Sequence, residues 1–185
     1  KIQVSQASAG TDYFETSIVG LKELAGEQGS VRFDQHVRLA GAIIINDNIE
    51  GNGAENRNIT STMQDLTLAD RTLYVSDAEG TMGVKLEFEK GAELLVRRFD
   101  HIDVDLYGAV LTKESDPERY VITGIPGSAI LKDETGSESD VVVKTRKMSE
   151  LVDSDIYTLV ELTDCEIPIR KGPYVGVNLE HYCVI

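Results

Sequence analysis

The sequence predicts a mainly β protein, with a five-stranded Greek-key barrel and short helices followed by a second, partial β-unit. Five segments alternate apolar and polar residues with a period of two, as strands with one buried face do. Clusters of Gly, Asn, Asp and Pro separate these segments, which is typical of turns between strands. A chain of 185 residues, 41% of them hydrophobic, is long enough to bury a sizeable core.

The N-terminal part predicts a tether and then a short helix. Residues 1–16 are polar and have no sustained period, so we interpret them as the tether. Ser17 is a typical helix N-cap, and Gly26 marks the end of the helix. Between them, apolar residues recur at spacings of three and four and therefore share one face: Ile18, Leu21, Leu24 and Ala25.

The barrel is predicted over residues 17–135. Its first strand covers residues 37–45, and Gly41 within it indicates a bend or bulge. A polar, Gly-rich loop at residues 46–58 and an insertion reaching residue 70 follow. Four further strands are predicted at residues 72–76, 84–89, 102–107 and 120–123. Five strands beside a helix fit a barrel of the OB type, and a β-sandwich is the alternative.

Residues 136–185 are predicted to form the second unit, a helix followed by a strand. Thr145 precedes Met148, Leu151 and Val152 at helical spacing, and an apolar strand runs through residues 159–162. The order repeats the opening of the barrel. Because few strands fit before Ile185, we expect this unit to be incomplete.

Charge and hydropathy exclude two classes of partner. Acidic residues outnumber basic residues 32 to 18, which gives a net charge of −14. Binding to nucleic acid requires many Lys and Arg residues to replace counterions, so we predict no nucleic-acid partner. No apolar run approaches the ~18 residues of a membrane span, so we predict no membrane insertion by this segment.

The sequence carries no signature of catalysis. It has no nucleophile elbow, no His pair at metal-binding spacing and no CxxC motif, so we predict no enzyme, no cofactor and no metal. The three histidines, His36, His101 and His181, are far apart and are interpreted as structural. Residues 46–51 are similar in spacing to a calcium loop, but Arg57 stands where its bidentate Glu belongs.

Two groups of charged residues are interpreted as solvated surface. Asp100, Asp103 and Asp105 form an acidic stripe near one strand, and nothing in the sequence marks a cleft around them. Arg97 and Arg98 form a small basic island, which could recognise an anion but is more often simple surface. Cys165 and Cys183 are 18 residues apart, and both a disulfide and two separate thiols remain open.

The candidate binding residues follow from the predicted barrel. OB barrels bind ligands on the face of strands two and three and on adjacent loops. Three tyrosines, at positions 74, 107 and 120, lie on or beside barrel strands, and the loop after the first strand is rich in Asn. The residues predicted to bind are Tyr74, Lys85, Tyr107, Asn46, Asn48 and Asn52.

Three stretches resemble one family. They are Ser17-Ile18 with Leu21-Lys22 and Val-Arg-Leu-Ala-Gly-Ala-Ile-Ile at 37–44, then Leu-Tyr-Val-Ser-Asp-Ala-Glu-Gly at 73–80, then Leu-Val-Glu-Leu-Thr-Asp-Cys-Glu-Ile at 159–167. The chain thereby resembles, over residues 17–170, an OB-fold-like domain family of unknown function from surface lipoproteins of gut-dwelling Gram-negative bacteria. The resemblance implies an OB-like fold, a cell-envelope location and a lipid anchor upstream of Lys1. The long insertion at 46–70 departs from the family pattern.

The sequence therefore predicts a non-catalytic, extracytoplasmic binding or assembly module of a lipoprotein, in the periplasm or on the outer membrane surface. Its expected ligand is a glycan or a partner protein of the envelope. Two alternatives are a purely structural domain of a larger surface protein and an accessory domain of a secreted hydrolase.

Overall fold

The structure is a computed structural model that describes residues 3–6, 12–27, 29–46 and 70–165. The predicted binding residues Asn48 and Asn52 lie outside these ranges, as do His181, Cys183 and most of the calcium-like loop.

The described residues form twelve strands, one α-helix and four short 3-10 turns. The helix α1 spans Gly20–Ala25, and the 3-10 turns span Gly127–Ala129, Glu138–Asp140, Met148–Glu150 and Asp153–Asp155. The strands are β1 (Gln3–Gln6), β2 (Asp12–Thr16), β3 (Ser30–Arg32), β4 (Val37–Ile44), β5 (Thr72–Ser76), β6 (Gly83–Phe88), β7 (His101–Asp105), β8 (Val110–Glu114), β9 (Arg119–Ile125), β10 (Ile130–Glu134), β11 (Lys144–Lys147) and β12 (Val160–Thr163).

Ten of these strands belong to one mixed sheet. Its main path runs β1-β2-β4-β5-β6-β9-β8-β3, and β7 joins β4 to β10. The β4–β5, β5–β6, β8–β9 and β4–β7 ladders are antiparallel, whereas β6 and β9 are parallel. The prediction of a mainly β fold is confirmed. No ladder between the described strands closes the sheet into a barrel.

The bend predicted in the first barrel strand is confirmed. Gly41 has a φ of 68°, and the register of β4 against β7 shifts between Leu39 and Ala42. A left-handed residue inside a strand kinks it, and Gly adopts that conformation without a steric penalty. The kink lets β4 pair with three different strands along its eight residues.

One hydrophobic core lies beneath the sheet and α1. It takes one face of each central strand, and its largest fully buried side chain is Phe88. Leu21 and Ala25 bury the apolar stripe of α1 against this core, as predicted. The N-cap of α1 is Val19 and not Ser17 as predicted, although the Ser17 hydroxyl accepts a hydrogen bond from the Gly20 N–H at 3.1 Å.

Two parts of the sheet differ from the predictions. Residues 1–16, predicted to be a tether, contain β1 and β2, which pair with each other, and β2 runs parallel to the start of β4. The strand β8 was not predicted, because Leu111 is its only core residue and its apolar alternation is weak.

The helix predicted after Thr145 is wrong. This segment forms β11, and a 3-10 turn over Met148–Glu150 follows it. The apolar spacing of three that predicted a helix also suits a 3-10 turn, which has three residues per turn. Met148 and Leu151 are exposed, so no core selects a longer helix. The later strand is confirmed as β12, which pairs with β11 in parallel.

Candidate functional site

The predicted ligand face lies on β5 and β6. Tyr74 and Lys85 are direct partners across this ladder, so the sheet places them side by side. The Lys85 ammonium pairs with Glu87 at 2.5 Å. The Tyr74 ring stacks on Tyr157, with the ring centroids 5.1 Å apart and the planes 20° apart. Burial raises the pKa of the Tyr157 hydroxyl.

The chain itself covers this face. Residues 142–158, which we call the cover segment, cross the β5–β6 hairpin. The Val142 N–H donates to the Ala78 carbonyl at 2.7 Å. A Cβ atom added at Gly83 would overlap the Tyr157 backbone carbonyl, and one at Gly80 would lie 2.7 Å from the carbonyl oxygen of Val142. Because these two glycines have no side chain, the cover segment can lie directly against the face that was predicted to bind a ligand.

A buried carboxylate holds the cover segment together. Asp155 is 7% exposed and pairs with Lys144 at 2.5 Å and with Arg146 at 3.3 Å. It also accepts the Val152 N–H at 3.1 Å. Although burial raises the pKa of the Asp155 carboxyl, the hydrogen bonds from Lys144 and Val152 outweigh it, and the net shift is downward.

Two other predicted candidates have structural partners. The Asn46 amide bridges the start of β5: its oxygen accepts the Tyr74 N–H at 2.7 Å, and its nitrogen donates to the Thr72 carbonyl at 3.1 Å. The hydroxyl of Tyr120, one of the three tyrosines on or beside barrel strands, donates to Glu118 at 2.9 Å. Because Tyr120 is only 4% exposed, it cannot offer the face of its ring to a ligand.

Tyr107 belongs to a row of rings that the structure leaves open to solvent. It is 51% exposed, and its ring stacks on His36 with the centroids 4.6 Å apart and the planes 20° apart. Tyr13 meets His36 edge to face, with the ring centroids 5.5 Å apart and the planes at 70°. The three rings come from β2, from the residue before β4 and from the residues after β7. We call Tyr13, His36 and Tyr107 the aromatic strip.

One carboxylate fixes the geometry of the aromatic strip. Asp105 ends β7, and one of its oxygens lies 2.6 Å from Nδ1 of His36. Its other oxygen accepts the Tyr107 N–H at 3.0 Å. Gly108 follows with a φ of 81° and donates its N–H to the Phe33 carbonyl, which turns the chain immediately after Tyr107. The strip is therefore held by paired groups before any ligand arrives.

The acidic stripe of Asp100, Asp103 and Asp105 is not a solvated surface, so that prediction is wrong. Asp100 and Asp103 are 6% and 5% exposed. Asp103 pairs with the Arg38 guanidinium and accepts the Gly41 N–H at 2.8 Å, whereas Asp100 accepts the Arg97 N–H at 2.7 Å. The alternating pattern correctly predicted that these carboxylates lie outside the core. It could not show that other parts of the same chain shield them from solvent.

The aromatic strip and Asn46 lie at opposite ends of one strand. His36 precedes β4 and Asn46 follows it, and the eight residues of β4 span about 25 Å. Sequence reasoning missed His36 and Tyr13 as site residues. No local pattern indicates them, because the pairing of β4 with β7 is needed to bring His36 to Asp105.

A second histidine, His101, lies in a cluster of polar side chains near one 3-10 turn. Nε2 of His101 lies 3.0 Å from an Asp140 oxygen, and Ser137 and Ser139 share a hydrogen bond. Within the described ranges, no hydrogen bond connects His101 to either serine. Asp140 also accepts the Ser137 N–H, which caps a 3-10 turn. The cluster therefore lacks the serine–histidine contact of a nucleophile and its base.

Among the residues whose structure is described, no three His, Cys, Asp or Glu side chains are grouped to hold a metal ion. No helix in those ranges is both long enough and apolar enough to cross a bilayer. Cys165 is exposed, and its thiol lies 3.5 Å from the Thr163 carbonyl.

Comparisons with protein-family models, with curated proteins and with solved structures found no match to this chain.

Proposed function

We propose that this protein is a non-catalytic, extracytoplasmic binding module that holds a glycan on the aromatic strip. The observation that carries the proposal is the Tyr107 ring, half exposed and stacked on His36. A pyranose presents one face of C–H groups, which packs on an aromatic ring and buries apolar surface, while its hydroxyls bond to polar groups at the rim.

The polar rim supports a sugar more than it supports a flat protein partner. His36 and Asp105 lie directly beside the Tyr107 ring, and the half-buried Arg38 lies on β4 just after His36. Such groups donate to and accept from hydroxyls. A stable protein interface needs about 800 Å² on each partner with an apolar centre, and three rings bordered by charges do not supply that area.

We further propose that the sheet is an open barrel of the OB type. The strands β4, β5 and β6 form an antiparallel meander, and β9 returns parallel to β6 and forms a hairpin with β8. On the other side of β4 lies β7, and the buried residues of all these strands share one core. This arrangement supports a partly open Greek-key barrel.

The cell-envelope location and the lipoprotein context rest on the family resemblance of the three stretches at 17–44, 73–80 and 159–167. In that context the module would present its ligand surface outside the cytoplasm. The purely structural alternative gains support from the cover segment, which shows that one face of the sheet is used for packing within the chain.

A glycan array of neutral and acidic oligosaccharides tests the proposal, with hits confirmed by calorimetry. We expect a dissociation constant of about 1 mM for a short glycan and a loss of about tenfold for Tyr107→Ala. Leu131→Ala removes an exposed apolar side chain from β10 and serves as the matched control. Absence of any glycan hit, or equal affinity of the Tyr107 variant, would sink the proposal.

A further inference from the structure

A strained turn stands at the far end of β4 from the aromatic strip. The Asp100 N–H donates to the Arg97 carbonyl at 3.1 Å and closes a four-residue turn. Its third residue, Phe99, has a φ of 72°, a conformation that favours Gly or Asn at this position. The Phe99 N–H donates to the Ile44 carbonyl, and the Ile44 N–H to the Asp100 carbonyl. The turn is therefore locked to the end of β4 in spite of its strain.

This turn presents a guanidinium group. The Arg98 side chain lies over the Phe99 ring, with its Cζ atom 4.7 Å from the ring centroid. Its Nε is shielded from solvent and makes no hydrogen bond with the described residues. The adjacent carboxylate of Asp100 is already engaged by the Arg97 N–H. A buried donor without an acceptor is costly, so this guanidinium calls for an explanation.

The unpaired state of Arg98 is unusual for this protein. Seven other lysines and arginines in the described ranges are half-buried, and each has an acceptor: Arg38, Arg71, Lys85, Lys113, Arg119, Lys144 and Arg146. Acidic residues outnumber basic ones 32 to 18, so carboxylates are abundant as partners. A half-buried arginine without an acceptor among the described residues is therefore best explained by an acceptor that those residues do not supply.

We propose that Arg98 is a binding site for a carboxylate group. A guanidinium offers its donors as a flat fork that matches the two oxygens of a carboxylate. Stacking on Phe99 and the locked turn fix the plane of that fork in advance, which reduces the entropy lost on binding. The site goes beyond the aromatic strip, because it lies at the opposite end of β4 and uses charge rather than ring stacking.

Side-chain NMR tests the site directly. The Nε–H resonance of Arg98 is followed while sodium glucuronate, N-acetylglutamate or glucose is added to the full chain. We expect a saturable shift with the two carboxylates and none with glucose. The tighter of the two carboxylates identifies the source of the group as an acidic sugar or an acidic peptide. No saturable shift with either carboxylate, or an equal shift with glucose, overturns the proposal.

Two variants complete the test. Arg98→Lys keeps the charge and removes the fork, and we expect about tenfold weaker carboxylate binding. Arg32→Lys changes an exposed arginine on β3 and should leave the affinity unchanged. Equal affinity of the Arg98 variant and the parent would contradict the proposal. The parent titration does not depend on the variants, so it decides the matter even if the Arg98 variant fails to fold.

Discussion

Individual carboxylates on the outer face of the sheet hold neighbouring strands together through ion pairs and hydrogen bonds. Asp103 is nearly inaccessible to solvent, pairs with Arg38 and accepts the N–H of Gly41 at the kink of β4. Replacing it with Ala leaves a half-buried guanidinium and a backbone donor without their acceptor. We expect Asp103→Ala to lower the free energy of unfolding by about 2–3 kcal/mol, measured by urea denaturation.

The matched control for that experiment is Glu134→Ala. Glu134 pairs with Lys132 at 3.1 Å on the exposed strand β10, and both side chains are well solvated. Exposed ion pairs contribute less than about 1 kcal/mol. If the two substitutions cost the same free energy, the assignment of Asp103 as an organising carboxylate is wrong.

Residue chemistry also tests the envelope location. Cys165 is exposed, and the second cysteine, Cys183, lies outside the described residues. In an extracytoplasmic protein two cysteines 18 residues apart are expected to form a disulfide. Protein purified without reductant should resist alkylation at both positions and become doubly alkylated after reduction, as measured by mass spectrometry. Full alkylation before reduction would contradict the pairing.

At the scale of the elements, the cover segment matters most, because it occupies the face of β5 and β6 that was predicted to bind a ligand. Gly83→Ala places a methyl group into the Tyr157 carbonyl, so the cover segment must shift. We expect a loss of about 1–3 kcal/mol and faster tryptic cleavage after Lys144 and Arg146 in β11. Gly91→Ala is the control: it has a φ of 89° but open space around it, so it should destabilise the protein without speeding that cleavage.

The elements also show what a sequence can predict. Strands with a strong period of two and one fully buried face, such as β6 and β7, were predicted nearly to the residue. The weakly alternating β8 was not predicted. The apolar spacing of three after Thr145 predicted a helix, but no core receives the apolar face that such a helix would have. The aromatic strip joins residues 13, 36 and 107, and no local pattern encodes such a contact.

At the scale of the whole molecule, the pH dependence of stability tests how α1, β8 and β9 are held together. Glu118 links α1, β8 and β9, because it pairs with Lys113 and Lys22 and accepts the Tyr120 hydroxyl. Hydrogen bonds from Lys113 and Tyr120 lower the pKa of its carboxyl from 4.5 to about 2. A lowered pKa in the folded state stabilises the protein above the unfolded value and loses that contribution as the pH falls.

The melting temperature should therefore decline as the pH falls from about 4.5 to about 2, and the lowered pKa values of Asp140 and Asp155 act in the same direction. Glu118→Gln should make the decline shallower, whereas Glu134→Gln on the exposed strand β10 should not. An unchanged slope in the Glu118 variant would show that this carboxyl does not link the elements.

The central claim is that a ligand binds at the aromatic strip and not at the covered face of β5 and β6. Amide chemical-shift mapping with the glycan selected on the array tests it most directly. The account predicts saturable shifts at Tyr13, His36 and residues 105–108, with little change at Tyr74 and Lys85. Shifts concentrated on β5 and β6, accompanied by release of Tyr157, would contradict it.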